Sequence, residues 1–478
     1  MKSSPESATD SANNNNFRIE KDLLGQAEIP NDAYYGIQTL RACQNFKLSG
    51  VPLNHFPKFV RALSMVKLAA AKANFHLGSL PAKKAHAIFK ACEDIINNHY
   101  HEHFIVDMVQ GGAGTSTNMN ANEVIANIAL KHLKEAPGNY SVIHPNNDIN
   151  MSQSTNDAYP TAVRLAILLS HNDLVDALIS LQKSFSRKAD EFANIIKMGR
   201  TQLQDAVPMT VGQEFASWAS TLGEDVDKIV HLSDMMTEVN LGGTAIGTGI
   251  NTDARYGKRA ITELSKISGF RFVQSSDLVE ASSDMGAFVL FSSMLKRLAI
   301  KLSKICNDLR LLSMGPRAGL NELNLPAQQP GSSIMPGKIN PVIPEAMNQV
   351  AYDIIGNDLS ISMAAEAGQL QLNAMEPLIT YKTLDSIRIL SRAMNMLENR
   401  CVEGISVNAE HCKQLVENSI GIVTALNPHI GYDNASRIAK TALHEGSSII
   451  DLIKQENLLS DEEIDRILKP ENMVKPTL

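Results

Sequence analysis

The sequence predicts an all-α protein organised around a bundle of long helices, and three observations carry that prediction. Apolar residues recur at helical spacing over long stretches, strand-like alternation is scarce, and polar segments rich in Gly, Ser, Thr and Asn punctuate the periodic runs. At 478 residues the chain is long enough for two or three domains with ample buried surface.

The elements follow in chain order. Residues 1–15, rich in Ser and Asn, read as a disordered tail without the apolar segment of a secretory signal. Residues 16–154 read as an N-terminal, mainly helical domain of shorter helices broken by Pro and Gly loops. Residues 155–406 read as a central helical bundle. Within it, Leu174, Leu178, Leu181, Phe185, Ala189, Phe192 and Ile196 step by threes and fours, which predicts one helix from Ala162 to Met198, roughly 50 Å long. A second helix is predicted over Val211 to Val239. The run Phe288, Phe291, Leu295, Leu298, Leu302, Ile305, Leu309, Leu312 has the spacing of a bundle seam. The stretch from Pro344 to Ile405 is similar, with Gly356 and Pro377 expected to kink or divide it. Residues 407–478 read as a small C-terminal helical domain, with a helix over Ser460 to Leu468 capped by Ser460 and Glu463. Helices of this length carry apolar sides wider than one monomer core uses, so self-association is expected.

Composition narrows the function classes. With 44% hydrophobic residues, 20% charged residues and a net charge of -7, the chain has no basic face for nucleic acid. It contains no apolar run of bilayer length, so no membrane partner is expected and the predicted location is the cytoplasm. Five scattered cysteines form no CxxC pair and are expected to be reduced and mostly buried. His99, His101 and His103 flank Glu102, but without a further ligand at suitable spacing they read as a solvated helix end, and no metal site is assigned.

Four polar segments could carry chemistry: Gly111 to Asn118 (GGAGTSTN), Ser152 to Asp157 (SQSTND), Gly199 to Asp205 (GRTQLQD), and Gly331 to Pro341 (GSSIMPGKINP). Each alone reads as a loop or cap. Together they offer many neutral donors, backbone amides beside glycines, and one lysine, a set suited to a small dicarboxylate. The last segment is no phosphate loop: five residues separate Gly331 from Gly337-Lys338, and Ile339 follows the lysine.

GSSIMPGKINP resembles the signature of the fumarase/aspartase superfamily, and the other three segments match its substrate-binding stretches in the same order. The resemblance runs from about Phe17 to Asn472. Asp22 to Gly25 (DLLG), Ala33 to Gly36 (AYYG), Ser154 to Pro160 (STNDAYP) and Ala364 to Gln369 (AAEAGQ) resemble the aspartate ammonia-lyase branch. Class II fumarases carry His where this chain has Gln202.

The resemblance implies a three-domain, mostly helical subunit whose central bundles associate as a homotetramer, with each active site shared among three subunits. It implies reversible deamination of L-aspartate to fumarate and ammonium, by anti elimination through an aci-carboxylate carbanion. No cofactor is required; a divalent metal is admitted only as an activator. It makes Ser332 the catalytic base. Thr115, Ser154, Thr155 and Ser333 would hold the carboxylate that gains charge, Lys338 and Asn340 the other one, and Asn156, Thr201 and Gln202 the ammonium. Glu345 is the carboxylate that would support a His at position 202. Fumarase activity, and a non-catalytic structural role like that of relatives recruited to the lens, are the competing readings.

Overall fold

The computed structural model describes residues 16–468 and 470–474; the polar stretch over 1–15, read as a disordered tail, lies outside them. The chain opens with the antiparallel hairpin β1 (Phe17–Asp22) and β2 (Gly25–Pro30), then α1 (Ile37–Asn45), α2 (Pro57–His76), α3 (Ala82–Ile96) and α4 (Thr115–His132). After a π-helical turn at Pro145–Ile149 comes α5 (Thr155–Glu191). A hairpin of β3 (Ile196–Thr201) and β4 (Gln204–Thr210) leads into α6 (Val211–Leu232). The short strand β5 (Glu238–Val239), α7 (Tyr256–Ser268) and β6 (Val273–Gln274) follow, β6 running parallel to β5. Next come α8 (Gly286–Leu312), β7 (Leu323–Asn324), α9 (Val342–Glu366), α10 (Glu376–Arg400) and β8 (Ser406–Val407), which pairs with β7. Six short helices complete the described chain: α11 (Ala409–Glu417), α12 (Val423–Ile430), α13 (Tyr432–Glu445), α14 (Ile449–Gln455), α15 (Asp461–Ile467) and α16 (Pro470–Met473).

The all-α class is borne out. Two compact units divide the chain: Met1–Asn172, Leu232–Ser293 and Asn357–Ser386 form the first, and Asp173–His231, Met294–Gly356 and Ile387–Leu478 the second. The boundaries fall within α5, at the last residue of α6, and within α8, α9 and α10.

Every residue of the predicted seam from Phe288 to Leu312 is buried in α8. The prediction for α5 needs correction. Its helix starts earlier, at Thr155, and ends at Glu191, so it spans 37 residues, about 55 Å. Phe192 and Ile196 are buried as their spacing suggested, but the backbone has left the helix by then. Gly212 forces the turn: a Cβ there would lie 2.6 Å from Ala189 O and from Ala193 Cα, so α6 starts hard against the end of α5. Ile196 and Met198 then join an apolar cluster with Leu426, Ile438, Ile453 and Ile464 of the C-terminal helices. Tertiary burial redirects a sequence whose periodicity alone would continue the helix.

The other expectations fare variously. The helix predicted over Val211 to Val239 stops at Leu232, followed by a 3-10 turn, Ser233–Met236. Gly356 does not divide α9, which runs through it; the break comes at residues 367–375, and Pro377 is the second residue of α10, where its missing N–H costs nothing. Ser460 and Glu463 form the predicted reciprocal cap of α15, Ser460 Oγ accepting the Glu463 N–H and Glu463 accepting the Ser460 N–H. The cysteines are unpaired, four buried and Cys43 half-buried.

Two carboxylates organise the start of α1. Glu123, on α4, accepts the N–H groups of Gly36, Gln38 and Thr39 and the Thr39 hydroxyl, while Glu20 accepts the Ile37 N–H. These are the orphan donors of a helix N-terminus, where negative charge is favoured. Burial nevertheless pushes the Glu123 carboxyl up to about 7. Gly36 is required here because a Cβ would fall 2.6 Å from both Glu20 Oε2 and Tyr140 Oη.

A second buried carboxyl gives the first unit a pH-dependent term. Burial raises Glu376 to about 8 from an ordinary 4.5, the Arg164 charge opposing it only in part. A raised acid contributes stability that is complete below its unfolded value and lost as pH rises through its folded value. Stability should therefore decline between about pH 5 and about pH 8, and Glu376→Gln should flatten that decline. Thermal melting of both proteins across this range checks it; an unchanged slope in the variant would rule Glu376 out.

Candidate functional site

The start of α5 presents Ser154, Thr155 and Asn156, three predicted site residues, and its order comes from one buried side chain. Asp157, with 0% exposure, accepts the Ser154 N–H through Oδ1 at 2.8 Å and the N–H groups of Gly242 and Thr244 through Oδ2 at 2.9 and 3.1 Å. Burial raises its carboxyl to about 6, against the pull of these three amides and of Lys67. Pro160 contributes by omission: without an N–H it cannot bond Asn156 O, and that carbonyl accepts the Asn240 side-chain amide at 2.9 Å instead. The Asn156 side chain donates to Ala245 O at 2.7 Å.

The segment Gly242 to Gly249 (GGTAIGTG) is thus joined to the α5 start at three points, with Asn240 just before it adding a fourth, and the sequence reading missed it. Its glycine and threonine content was the available signal, the same one that marked the other four segments. Gly242, Gly247 and Gly249 have positive φ. A Cβ on Gly247 would lie 2.4 Å from the backbone of Leu278 and Val279, whereas one on Gly249 would meet nothing closer than 3.3 Å. Gly247→Ala should therefore destabilise by roughly 2–4 kcal/mol and lower kcat/KM, and Gly249→Ala by only about 1 kcal/mol. Denaturant unfolding of the two variants distinguishes them; equal effects would mean the close approach is not what Gly247 serves.

Thr115 begins α4 and donates its hydroxyl to Gly112 O at 2.7 Å, a bond it must release to serve an anion. It borders a cavity of about 830 Å³ also lined by Lys21, Arg41, Glu123 and His144. Behind Thr155 stands Lys67, a second residue that the sequence reading missed: its Nζ is fully buried among Asn118, Asn150 and Gln153.

The second unit holds the remaining predicted residues. Thr201 pairs with Gln204 across the β3–β4 hairpin, and Gln202 and Leu203, at φ +53° and +63°, form its two-residue tip. Neither is glycine, so the tip carries backbone strain of the kind found at functional sites. Strand β3 of the hairpin is anchored by Glu322, at 0% exposure, which lies 2.6 Å from Arg200 Nη1 and 2.9 Å from Lys197 Nζ. Lys197 also pairs with Glu214 at 2.6 Å.

The loop from Gly331 to Asn340 closes on itself, Gly331 N–H donating to Lys338 O at 2.7 Å and Asn340 Nδ2 to Gly331 O at 2.7 Å. A Cβ on Gly331 would lie 2.4 Å from Lys338 O, which explains the glycine. Ser332 Oγ accepts two backbone N–H groups, from Ile334 at 3.2 Å and Met335 at 3.0 Å. Donors aimed at an oxygen favour its anionic form. Ser333 and Lys338 are exposed, and Glu345 is half-buried in the first turn of α9. Ser332 and Lys338 also line a cavity of about 490 Å³.

The structure therefore brings Ser154, Thr155 and Asn156 together in the first unit, which also holds Thr115. Thr201, Gln202, Ser332, Ser333, Lys338, Asn340 and Glu345 belong to the second. Among the described residues no group of three or more His, Cys, Asp or Glu side chains could hold a metal ion. His101 Nε2 instead bonds Ile95 O, and His103 accepts the Tyr34 N–H. No helix among these residues is long and apolar enough to cross a membrane.

Comparison with known proteins places this arrangement. A family model described as Lyase matches residues 25–356, and one described as Fumarase C C-terminus matches residues 422–475. The chain is 64% identical to the aspartate ammonia-lyase of Pseudomonas aeruginosa over 462 residues, covering 96% of this chain and 98% of that protein. It is 52% identical to the aspartate ammonia-lyase of Escherichia coli K12 over 463 residues, 97% of each. The crystal structure of fumarate lyase:delta crystallin from Brucella melitensis bound to cobalt superposes with a TM-score of 0.94 at 58% identity, covering 96% of this chain and 100% of that one. Class II fumarase from Schistosoma mansoni superposes with a TM-score of 0.90 at 34% identity, over 96% and 99% of the two chains. Matched along nearly its whole length and nearer in identity to aspartate ammonia-lyases than to that fumarase, the chain belongs to the fumarase/aspartase lyase superfamily, in its aspartate ammonia-lyase branch.

Proposed function

We propose that the chain is a carbon–nitrogen lyase that converts L-aspartate reversibly to fumarate and ammonium. The proton removed sits on the carbon beside the side-chain carboxylate, so deprotonation loads a second negative charge onto that carboxylate. Such a step is feasible only where fixed donors meet the developing charge. Thr115, Ser154, Thr155 and Ser333 supply them, Lys338 and Asn340 hold the other carboxylate, and Asn156, Thr201 and Gln202 orient the ammonium. Ser332, as alkoxide, takes the proton. The electron pair moves into the aci-carboxylate and returns to form the double bond as the C–N bond breaks.

The observation that carries this reading is the pair of backbone N–H groups on Ser332 Oγ, because a serine acts as a base only when its oxyanion is stabilised. Gln202 supports deamination over dehydration. Expelling hydroxide calls for a proton donor, such as a His backed by Glu345, whereas an ammonium group leaves already protonated. Fumarate absorbance followed with L-aspartate and separately with L-malate tests the reading; turnover of malate alone would replace it with fumarase activity.

The functional assembly we propose is a homotetramer in which three subunits supply each site: the region of Thr115 and Ser154 from one, Thr201 from a second, Ser332 from a third. A row of exposed apolar side chains on α9, Tyr352, Ile355, Leu359 and Met363, spaced for one helix face, supports self-association. Sedimentation of the purified protein as a monomer would exclude it. We further propose a cytoplasmic location and chemistry that needs no cofactor, a divalent metal acting only as an activator.

A further inference from the structure

Lysine is rarely found fully buried, yet Lys67 on α2 is 1% exposed. Its Nζ meets three side-chain oxygens: Asn118 Oδ1 at 2.6 Å, Asn150 Oδ1 at 2.9 Å and Gln153 Oε1 at 2.9 Å. An ammonium has three N–H donors and no acceptor, so each partner must turn a carbonyl oxygen toward it. The orientation of each amide follows from that requirement, and the NH2 end points the other way.

For Asn118, that other direction contains Thr155. Asn118 Nδ2 donates to Thr155 Oγ1 at 3.1 Å and to Asn150 Oδ1 at 3.1 Å. A hydroxyl has a single hydrogen. Once its oxygen accepts from Asn118, the hydrogen is directed elsewhere, free for an incoming anion.

We propose that Lys67 is a positioning residue that makes Thr155 a hydrogen-bond donor to the substrate carboxylate, by holding the Asn118 amide between them in one orientation. With the amide reversed, Thr155 would donate inward to Asn118 and offer the substrate only oxygen lone pairs. Burial lowers Lys67 to about 7, and the negative charge of Asp157 opposes that; three oxygens aimed at Nζ favour its charged form. The inference rests on the assignment of Thr155 to the substrate carboxylate made above.

The test uses the intact protein and succinate, a dicarboxylate that cannot react, as a competitive inhibitor. Thr155→Val should weaken succinate and raise the KM for aspartate by about ten-fold or more, the scale of a lost charge-assisted hydrogen bond. Asn118→Asp should do the same: it keeps an anionic partner for Lys67 but presents an acceptor to Thr155, which then donates inward. Lys67→Met should weaken succinate alone, yet add less than about two-fold in the Thr155→Val background, since contacts in one network are not additive. A purely structural lysine would multiply the two losses, and that result, or an unchanged inhibition constant in Asn118→Asp, overturns the inference. Should Lys67→Met fail to fold, Asn118→Asp decides. A silent Thr155→Val would show that the substrate assignment of Thr155 is at fault, and the inference would fall with it.

Discussion

Ser332→Ala is expected to lower kcat by about 10²- to 10⁴-fold, the range over which a positioned acid or base contributes. Ser332 Oγ accepts the N–H groups of Ile334 and Met335 within a loop closed by Gly331, Lys338 and Asn340. No other described group in that loop combines an ionisable oxygen with two aimed donors. Because the loop around it is largely exposed, stability should change by no more than about 0.5 kcal/mol, and assembly should be unaffected. Two measurements check this: turnover of aspartate, and exchange of the proton beside its side-chain carboxylate with solvent deuterium. Both should fall together, because both need the same base. Full exchange with slow turnover would mean that another group removes the proton.

Glu322→Ala is expected to give the largest loss of stability, about 3–5 kcal/mol, because breaking a buried pair leaves charge uncompensated. The glutamate has 0% exposure and faces both Arg200 and Lys197, of which Lys197 keeps only Glu214 when Glu322 is removed. Burial raises Glu214, so it is a poor substitute anion. The loss should also reach function. Arg200 immediately precedes Thr201, so freeing β3 from Glu322 should loosen the strained tip of the β3–β4 hairpin and raise the KM for aspartate. Denaturant unfolding and steady-state kinetics report the two effects separately; a cost under about 1 kcal/mol would show that the cluster does not anchor the hairpin.

Glu322 and Lys67 were not legible in the sequence, and for the same reason. A lone charged residue, whether on a helix as Lys67 or in an irregular segment as Glu322, ordinarily faces solvent, and only the fold can reveal that it is buried against partners more than fifty positions away. The segment around Thr244 was missed differently: its composition resembled the four segments that were singled out, but nothing local linked it to Asp157, some ninety residues earlier. Ser332, by contrast, was reached only through the resemblance of GSSIMPGKINP to its superfamily, since a serine beside a glycine is ordinarily a loop residue.

The amino-acid order by itself determined the helical class, the buried seam of α8, the cap of α15 and the polar segments that hold the candidate site, because periodicity and capping are short-range properties carried by residues within a turn or two of each other. Tertiary structure alone decided where α5 gives way to a strand, which charges are buried, and that the Asn118 amide donates to Thr155. Those outcomes depend on burial and on hydrogen-bond partners supplied by distant segments, and no local pattern encodes the direction in which an amide will point.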